Sequence, residues 1–236
     1  NNQLLIGRSF KYHRPRGLVA SGAEEPNGLV GLGEGNSFEP NARATTTELF
    51  DGLVSCSQNH WPSLEFDIGY VNNYLSSLLP AGFYYKTFIH PRPAWKYIFE
   101  PIIRRSAGLG KPTKGKDPDK YEHFYAYVDV LIVGGGISGL YSAKVAAKSG
   151  ARVLLIEQTP HLGGQASIDN PLIDQGSTTK WITKLTKELE GMNNVTIKTR
   201  TVGVGVYDHG YSLAYERLTD HQFNLSGSRH RLCKIR

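Results

Sequence analysis

Cysteine is scarce in this chain: 236 residues carry two, Cys56 and Cys233. They lie far apart, which rules out a disulfide framework and any metal-ligand spacing. Two reduced thiols suit a cytoplasmic protein, and the cytoplasm is the expected location. Long apolar runs are missing too. None reaches the roughly 18 residues that a membrane span needs, so no membrane partner is expected. No signal-peptide pattern, internal repeat or long low-complexity tract is present, and no methionine opens the chain. It starts in mid-flow with NNQLLIGRSF, as a processed or cut chain would. Acidic residues are in the minority, 21 Asp and Glu against 27 Lys and Arg, for a formal charge of +6 and a pI near 9.2. That balance would attract an anionic cofactor, a nucleic acid or an acidic partner surface. Hydrophobic residues at 39% and charged residues at 20% are ordinary for a soluble globular protein. The length fits one large domain or two small ones.

The character of the sequence changes near residue 110. The first part is aromatic and turn-rich, with little helical periodicity. GLGKPTKGKDPDKYEHF, Gly108 to Phe124, is rich in Gly, Pro, Lys and Asp and reads as a linker. Strand and helix patterns alternate beyond it. The expected boundaries are a first domain with an extension over 1–107, a linker over 108–127 and a nucleotide-binding domain over 128–236.

The most informative stretch is DVLIVGGGISGLYSAKVAAKSGARVLLIEQTPHLGGQ, Asp129 to Gln165. DVLIV is a continuous apolar run rich in β-branched residues, as in a strand buried on both faces. Gly134, Gly136 and Gly139 follow in G-x-G-x-x-G spacing. Such glycines allow a tight turn, a close approach of backbone to a pyrophosphate and close packing of helix on strand. Leu140, Ala143 and Ala147 then repeat at helical spacing. The glycines thus sit at a helix start, where free N–H groups and the positive end of the dipole favour a diphosphate. Ile137 and Ser138 are expected to donate backbone N–H groups there. Gly150 is placed to end the helix. ARVLLIE supplies a second strand ending at Glu157, 21 residues beyond Gly136. An acid at that distance accepts hydrogen bonds from the adenosine ribose hydroxyls and repels a 2′-phosphate, which favours NAD or FAD over NADP. Gln158 could reach the same hydroxyls.

STTKWITKLTKELEG reads as an amphipathic helix, with Ser177 or Thr178 as cap and Trp181, Ile182, Leu185 and Leu189 as its apolar stripe. NVTIKT reads as a third parallel strand, whose exit around Thr201 and Val202 would pass the adenine. YSLAYERL and RLCKIR read as later strands of an antiparallel excursion. Other features point to no chemistry. Arg8, Lys11, His13, Arg14 and Arg16 interleave with Phe10 and Tyr12, but one short run reads as a solvated or subunit-facing strand, and no nucleic-acid partner is expected. His60 and His90 have no second ligand at metal spacing, so no metal is expected. Asp208 and His209, as neighbours on a strand, would point to opposite faces and form no catalytic pair.

Two resemblances extend this reading. Glu157 followed shortly by Gly163 and Gly164 resembles the two-dinucleotide-binding flavoproteins, whose second glycine pair turns close beside the cofactor. Together with the glycine motif, GRSFKYHRPRG, EEPNGLV, SFEPNARATTTELFDGLV, SQNHWPSLEFDIGYVNNYLSSLLPAGFYYKTF and YIFEPIIRRSAGLGK resemble the α subunits of heterotetrameric sarcosine oxidases over nearly the whole chain. Related α subunits of amine and opine oxidases share the architecture.

The resemblance implies a fold: an α/β, Rossmann-like FAD/NAD(P)-binding domain, incomplete here, preceded by a small α+β ferredoxin-like (β-grasp) domain lacking the iron–sulfur cluster. A plant-type cluster takes four cysteines, and the first domain has Cys56 alone. The resemblance further implies NAD in the glycine site, with FAD as the alternative, and FAD and FMN in the assembled complex. The β, γ and δ subunits would be the partners. The assembly would demethylate sarcosine to glycine, pass the one-carbon unit to tetrahydrofolate and make hydrogen peroxide. The oxidising flavin would sit on the β subunit, so no catalytic residue is expected on this chain. The cofactor-binding residues would be Gly134, Gly136, Ile137, Ser138, Gly139, Glu157, Gln158, Gly164 and Val202. The alternatives are the α subunit of another amine or opine oxidase, a FAD-dependent pyridine-nucleotide oxidoreductase, and a docking module with a vestigial nucleotide fold.

Overall fold

The computed structural model describes residues 29–58, 60–63, 65–68, 71–74, 87–88, 90–106, 115–173, 176–222 and 227–236. The basic–aromatic run Gly7 to Gly17 lies outside them. The chain divides into two compact units, Asn1–Asp117 and Pro118–Arg236.

In the first unit, β1 (Leu29–Leu32) pairs antiparallel with β2 (Glu39–Arg43) on one side and β3 (Ser55–Ser57) on the other. Leu29 and Val30 are buried. Gly31 cannot be replaced cheaply, because a Cβ there would lie 2.5 Å from the Phe38 ring and 2.8 Å from Cys56 Sγ. A helical run, unannounced by the periodicity, covers Arg92–Ala94, a π-helical turn at Trp95–Phe99 and α1 (Glu100–Ser106). Pro101 explains both the weak signal and the π turn. A proline inside a helix lacks its N–H and presses on the carbonyl four residues back. Here the ladder has already widened, with the Glu100 N–H bonded to the Trp95 carbonyl.

The second unit has three layers. Its centre is a parallel sheet in the order β5 (Val130–Val133), β6 (Val153–Ile156), β9 (Val195–Lys198). The middle strand β6 is buried throughout, and its side chains alternate between two cores. Val153 and Leu155 face Leu140, Ala143 and Ala147 of α2 (Ile137–Lys148), and Ile182, Leu185 and Leu189 of α4 (Thr178–Glu190). Leu154 and Ile156 face Ala214, Cys233 and Ile235 of a second sheet. Between β6 and α4 lie a short helix, α3 (Ala166–Asp169), and a small ribbon of β7 (Leu172–Ile173) and β8 (Gly176–Ser177). Ser177 takes the N-cap position of α4 without a side-chain capping bond, and Thr178 Oγ1 donates instead to the Pro171 carbonyl.

The second sheet runs β10 (Thr201–Val206), β11 (Ser212–Arg217), β12 (Arg229–Ile235), β4 (Lys120–Ala126). Two expectations change here. The linker expected over 108–127 contains β4, which pairs in parallel with β12 from Lys120 against Arg229 to Ala126 against Ile235. Its polar look arises because only alternate residues turn inward: Phe124 and Ala126 pack on the core, whereas Tyr121, His123 and Tyr125 are exposed. Asp208 and His209 are not on a strand. They form the β10–β11 turn, in which His209 is left-handed at φ 58° and Tyr207 N–H bonds the Tyr211 carbonyl at 2.7 Å. Among the described residues no helix is long and apolar enough to cross a membrane.

Candidate dinucleotide site

The carboxyl ends of β5, β6 and β9 lie along one edge of the parallel sheet, the edge at which open α/β sheets place their ligands. Three loops gather there: Gly134–Gly136, Glu157–Thr159 and Thr199–Thr201. Gly134 extends the ladder, its N–H bonding the Ile156 carbonyl at 2.8 Å, and then turns at φ +106°. Gly136 is the N-cap of α2 and has no side-chain cap. The first intrahelical bond is Leu140 N–H to the Gly136 carbonyl, 2.9 Å. The amides of Ile137, Ser138 and Gly139 therefore have no acceptor inside the helix. A Cβ added at Gly134 or Gly136 would meet nothing within 4 Å, whereas one at Gly139 would fall 1.9 Å from the Gly134 carbonyl oxygen. Helix and turn are thus pressed together while the outer face of the turn stays open. That is the form of a pyrophosphate cradle, with bare amides and the positive helix end turned to open space.

The second glycine pair supports this turn from beside it. Gly163 N–H bonds the Gly135 carbonyl at 2.8 Å, and a Cβ at Gly164 would lie 3.3 Å from Gly136 Cα. The two glycine loops meet backbone to backbone.

Glu157 is buried at 6% exposure. Its carboxylate has a task that the spacing did not announce. Oε2 accepts the Gly135 N–H at 2.6 Å, and Oε1 accepts the Thr159 N–H at 2.8 Å and its hydroxyl at 2.9 Å. A carboxylate offers about four acceptor positions. Three serve to fasten the glycine turn to the end of β6, and one is left. Gln158 has an exposed side chain, and its carbonyl accepts a hydrogen bond from the Arg217 guanidinium at 3.0 Å. Val202 is half-buried on β10 opposite Tyr215, beside Thr201, whose N–H bonds the Glu157 carbonyl at 2.8 Å. The structure therefore brings all nine expected residues to one edge. It adds Gly135, Thr159 and Arg217. The run of three glycines pointed to the first, but nothing in the local sequence pointed to Thr159 or Arg217.

Behind the site, Glu216 joins three strands. Lys198 Nζ lies 2.8 Å from its carboxylate and Arg231 Nη1 3.2 Å, with the Lys198 ammonium 4.7 Å from the Phe124 ring centroid. Burial pushes the nearby Cys233 thiol up to about 11, with the Glu216 charge acting the same way. It is a neutral packed side chain, not a nucleophile. At the far rim, the Arg152 guanidinium holds Asp129 down to about 2. Among the described residues no group of His, Cys, Asp and Glu is suited to a metal ion. His60 Nδ1 lies 3.2 Å from Ser57 Oγ.

This arrangement is a Rossmann-like fold of the flavoprotein type, and residues 129–214 match the family model for FAD dependent oxidoreductases. Residues 1–60 match a 2Fe-2S iron-sulfur cluster binding domain. Taken whole, the chain is a homologue of sarcosine oxidase α subunits. It is 48% identical to the sarcosine oxidase subunit alpha of Rhizobium meliloti over 94% of this chain and 22% of that protein. The subunits from two Corynebacterium strains are 32% and 31% identical over all of this chain and 20% of each. The chain thus spans about a fifth of the length of these relatives.

Proposed function

We propose that this chain forms the dinucleotide-binding part of a sarcosine oxidase α subunit and that NAD is the nucleotide it holds. The cradle carries the proposal: open space over Gly134 and Gly136 faces the amides of Ile137, Ser138 and Gly139, and Gly139 fits only without a side chain. The pyrophosphate would lie on those amides. The remaining acceptor position of Glu157 would take one ribose hydroxyl, with Gln158 and Val202 bordering the adenosine. When bound, a nicotinamide or flavin dinucleotide supplies redox chemistry. The residues of this chain bind and orient it, and none is assigned a catalytic role. FAD is the second reading, favoured by the description of the family model that matches residues 129–214.

The first domain is read as free of an iron–sulfur cluster. The matched residues 1–60 contain one cysteine, Cys56, and so do not supply four thiolates. The wider assembly follows the relatives. The β, γ and δ subunits would be this chain's partners, the β subunit would carry the oxidising flavin, and the reaction would convert sarcosine to glycine with tetrahydrofolate as acceptor and hydrogen peroxide as product, in the cytoplasm. Denaturing the purified protein and identifying the released nucleotide by mass tests the site. NAD is expected. FAD would establish the second reading, and absence of any nucleotide, with no binding on addition, would overturn both.

A further inference from the structure

We propose that Arg217 is a positioning residue for the adenosine end of this site, an inference that rests on the dinucleotide reading above. The chain leaves the parallel sheet at Gln158. Glu157 is still in the ladder, with its N–H on the Lys198 carbonyl at 2.9 Å and its carbonyl on Thr201 N–H at 2.8 Å. The Gln158 carbonyl takes its partner from another sheet: Arg217, at the end of β11, donates from Nη2 at 3.0 Å. The C=O of Gln158 and the N–H of Thr159 belong to one rigid peptide plane and point in opposite directions. That N–H is a donor to Glu157 Oε1, at 2.8 Å. A single planar group therefore connects the guanidinium at one end to the buried carboxylate at the other. Releasing the carbonyl frees the plane to turn and removes one of the three bonds that aim the acid.

The guanidinium is itself restrained. Its Nη1 lies 3.4 Å from Asp220 Oδ2, and its side chain is 22% exposed. Its backbone is tied to the same corner, for Arg217 N–H bonds the Arg200 carbonyl at 3.0 Å and Arg200 N–H bonds the Thr159 carbonyl at 3.0 Å. The pyrophosphate cradle, built on Gly134–Gly139, is reached from Arg217 only through Glu157, whose other oxygen accepts the Gly135 N–H at 2.6 Å. The cradle is also held independently, by Gly134 N–H on the Ile156 carbonyl and Gly163 N–H on the Gly135 carbonyl, each at 2.8 Å. Loss of Arg217 thus acts on the ribose and adenine far more than on the diphosphate.

Calorimetric titration of the full 236-residue chain with ADP, and separately with inorganic pyrophosphate, tests this. Arg217→Ala is expected to weaken ADP about tenfold, the scale of a lost charged hydrogen bond, and to leave pyrophosphate unchanged. Arg217→Lys retains the charge and one donor and is expected to weaken ADP about threefold, again without effect on pyrophosphate; it carries the test if the alanine variant does not fold. Unaltered ADP affinity in these variants, or parallel loss of both ligands, overturns the inference alone. A wild-type chain that binds neither ligand overturns the dinucleotide reading and the inference with it.

Discussion

The two faces of the β5–β6–β9 sheet are closed by different physics. The helical face is apolar: Val153 and Leu155 meet α2 and α4 through leucine, isoleucine and alanine, with Lys144 and Glu188 paired at 2.8 Å only at its margin. The face toward the second sheet combines Leu154, Ile156, Ala214 and Ile235 with a carboxylate, Glu216, that is 9% exposed and has two cations on it. Dispersion and desolvation tolerate approximate partners, whereas a buried charge requires a specific one. The first face therefore specifies that the domain folds. The second also specifies how strands β9, β11 and β12 register, and hence where Arg217 stands.

The strongest way to break the comparison is at Leu155, which is fully buried on the helical face. Leu155→Ala should cost about 2–5 kcal/mol in urea unfolding, the usual cost of a large-to-small core change. A loss below 1 kcal/mol would show that this face is loosely packed. Glu216→Ala, on the opposite face, should cost about 3 kcal/mol, because Lys198 would be left largely buried without its acid and Arg231 would keep only Glu122. Replacement of all three by apolar residues should recover most of that loss, which no single change on the helical face can imitate. The smallest effect is expected at Cys233. Its folded thiol titrates near 11, above the range of an unfolded cysteine at about 8.5. Its contribution is complete below about 8.5 and is lost as pH rises toward 11, since the unfolded chain ionises first. The stability of the wild type relative to Cys233→Ala should therefore fall between pH 8 and 10.5, and a constant difference would contradict the burial of this thiol.

Legibility followed sequence separation. The glycine turn, the helix it opens and Glu157 lie within 24 residues from Gly134, and each leaves a local mark: three glycines, Leu140 and Ala143 at helical spacing, an acid at the end of a β-branched run. The stripe of α4 was visible for the same reason, and Ile182, Leu185 and Leu189 are buried as its period requires. Strand β4 was not visible, because it pairs with β12 more than 100 residues later and shows a half-polar face. Thr159 and Arg217 left no mark either. Thr159 lies two residues from Glu157, but a threonine after a strand has many possible partners; Arg217 meets Gln158 across 59 positions, and only folding brought those two together.

The sequence by itself determined that a helix starts on glycines, that an apolar strand precedes it and that an acid ends the next strand. These follow from backbone sterics and side-chain periodicity within a few turns of chain. The first strand, expected to be buried on both faces, is only half-buried with Val133 exposed, because it lies at the edge of its sheet. Only the tertiary structure decided that the acid is shared among Gly135, Thr159 and one open acceptor position, and that a distant arginine sets the peptide beside it. Hydrogen bonds between residues 22 to 59 positions apart depend on sheet register, which no local pattern encodes.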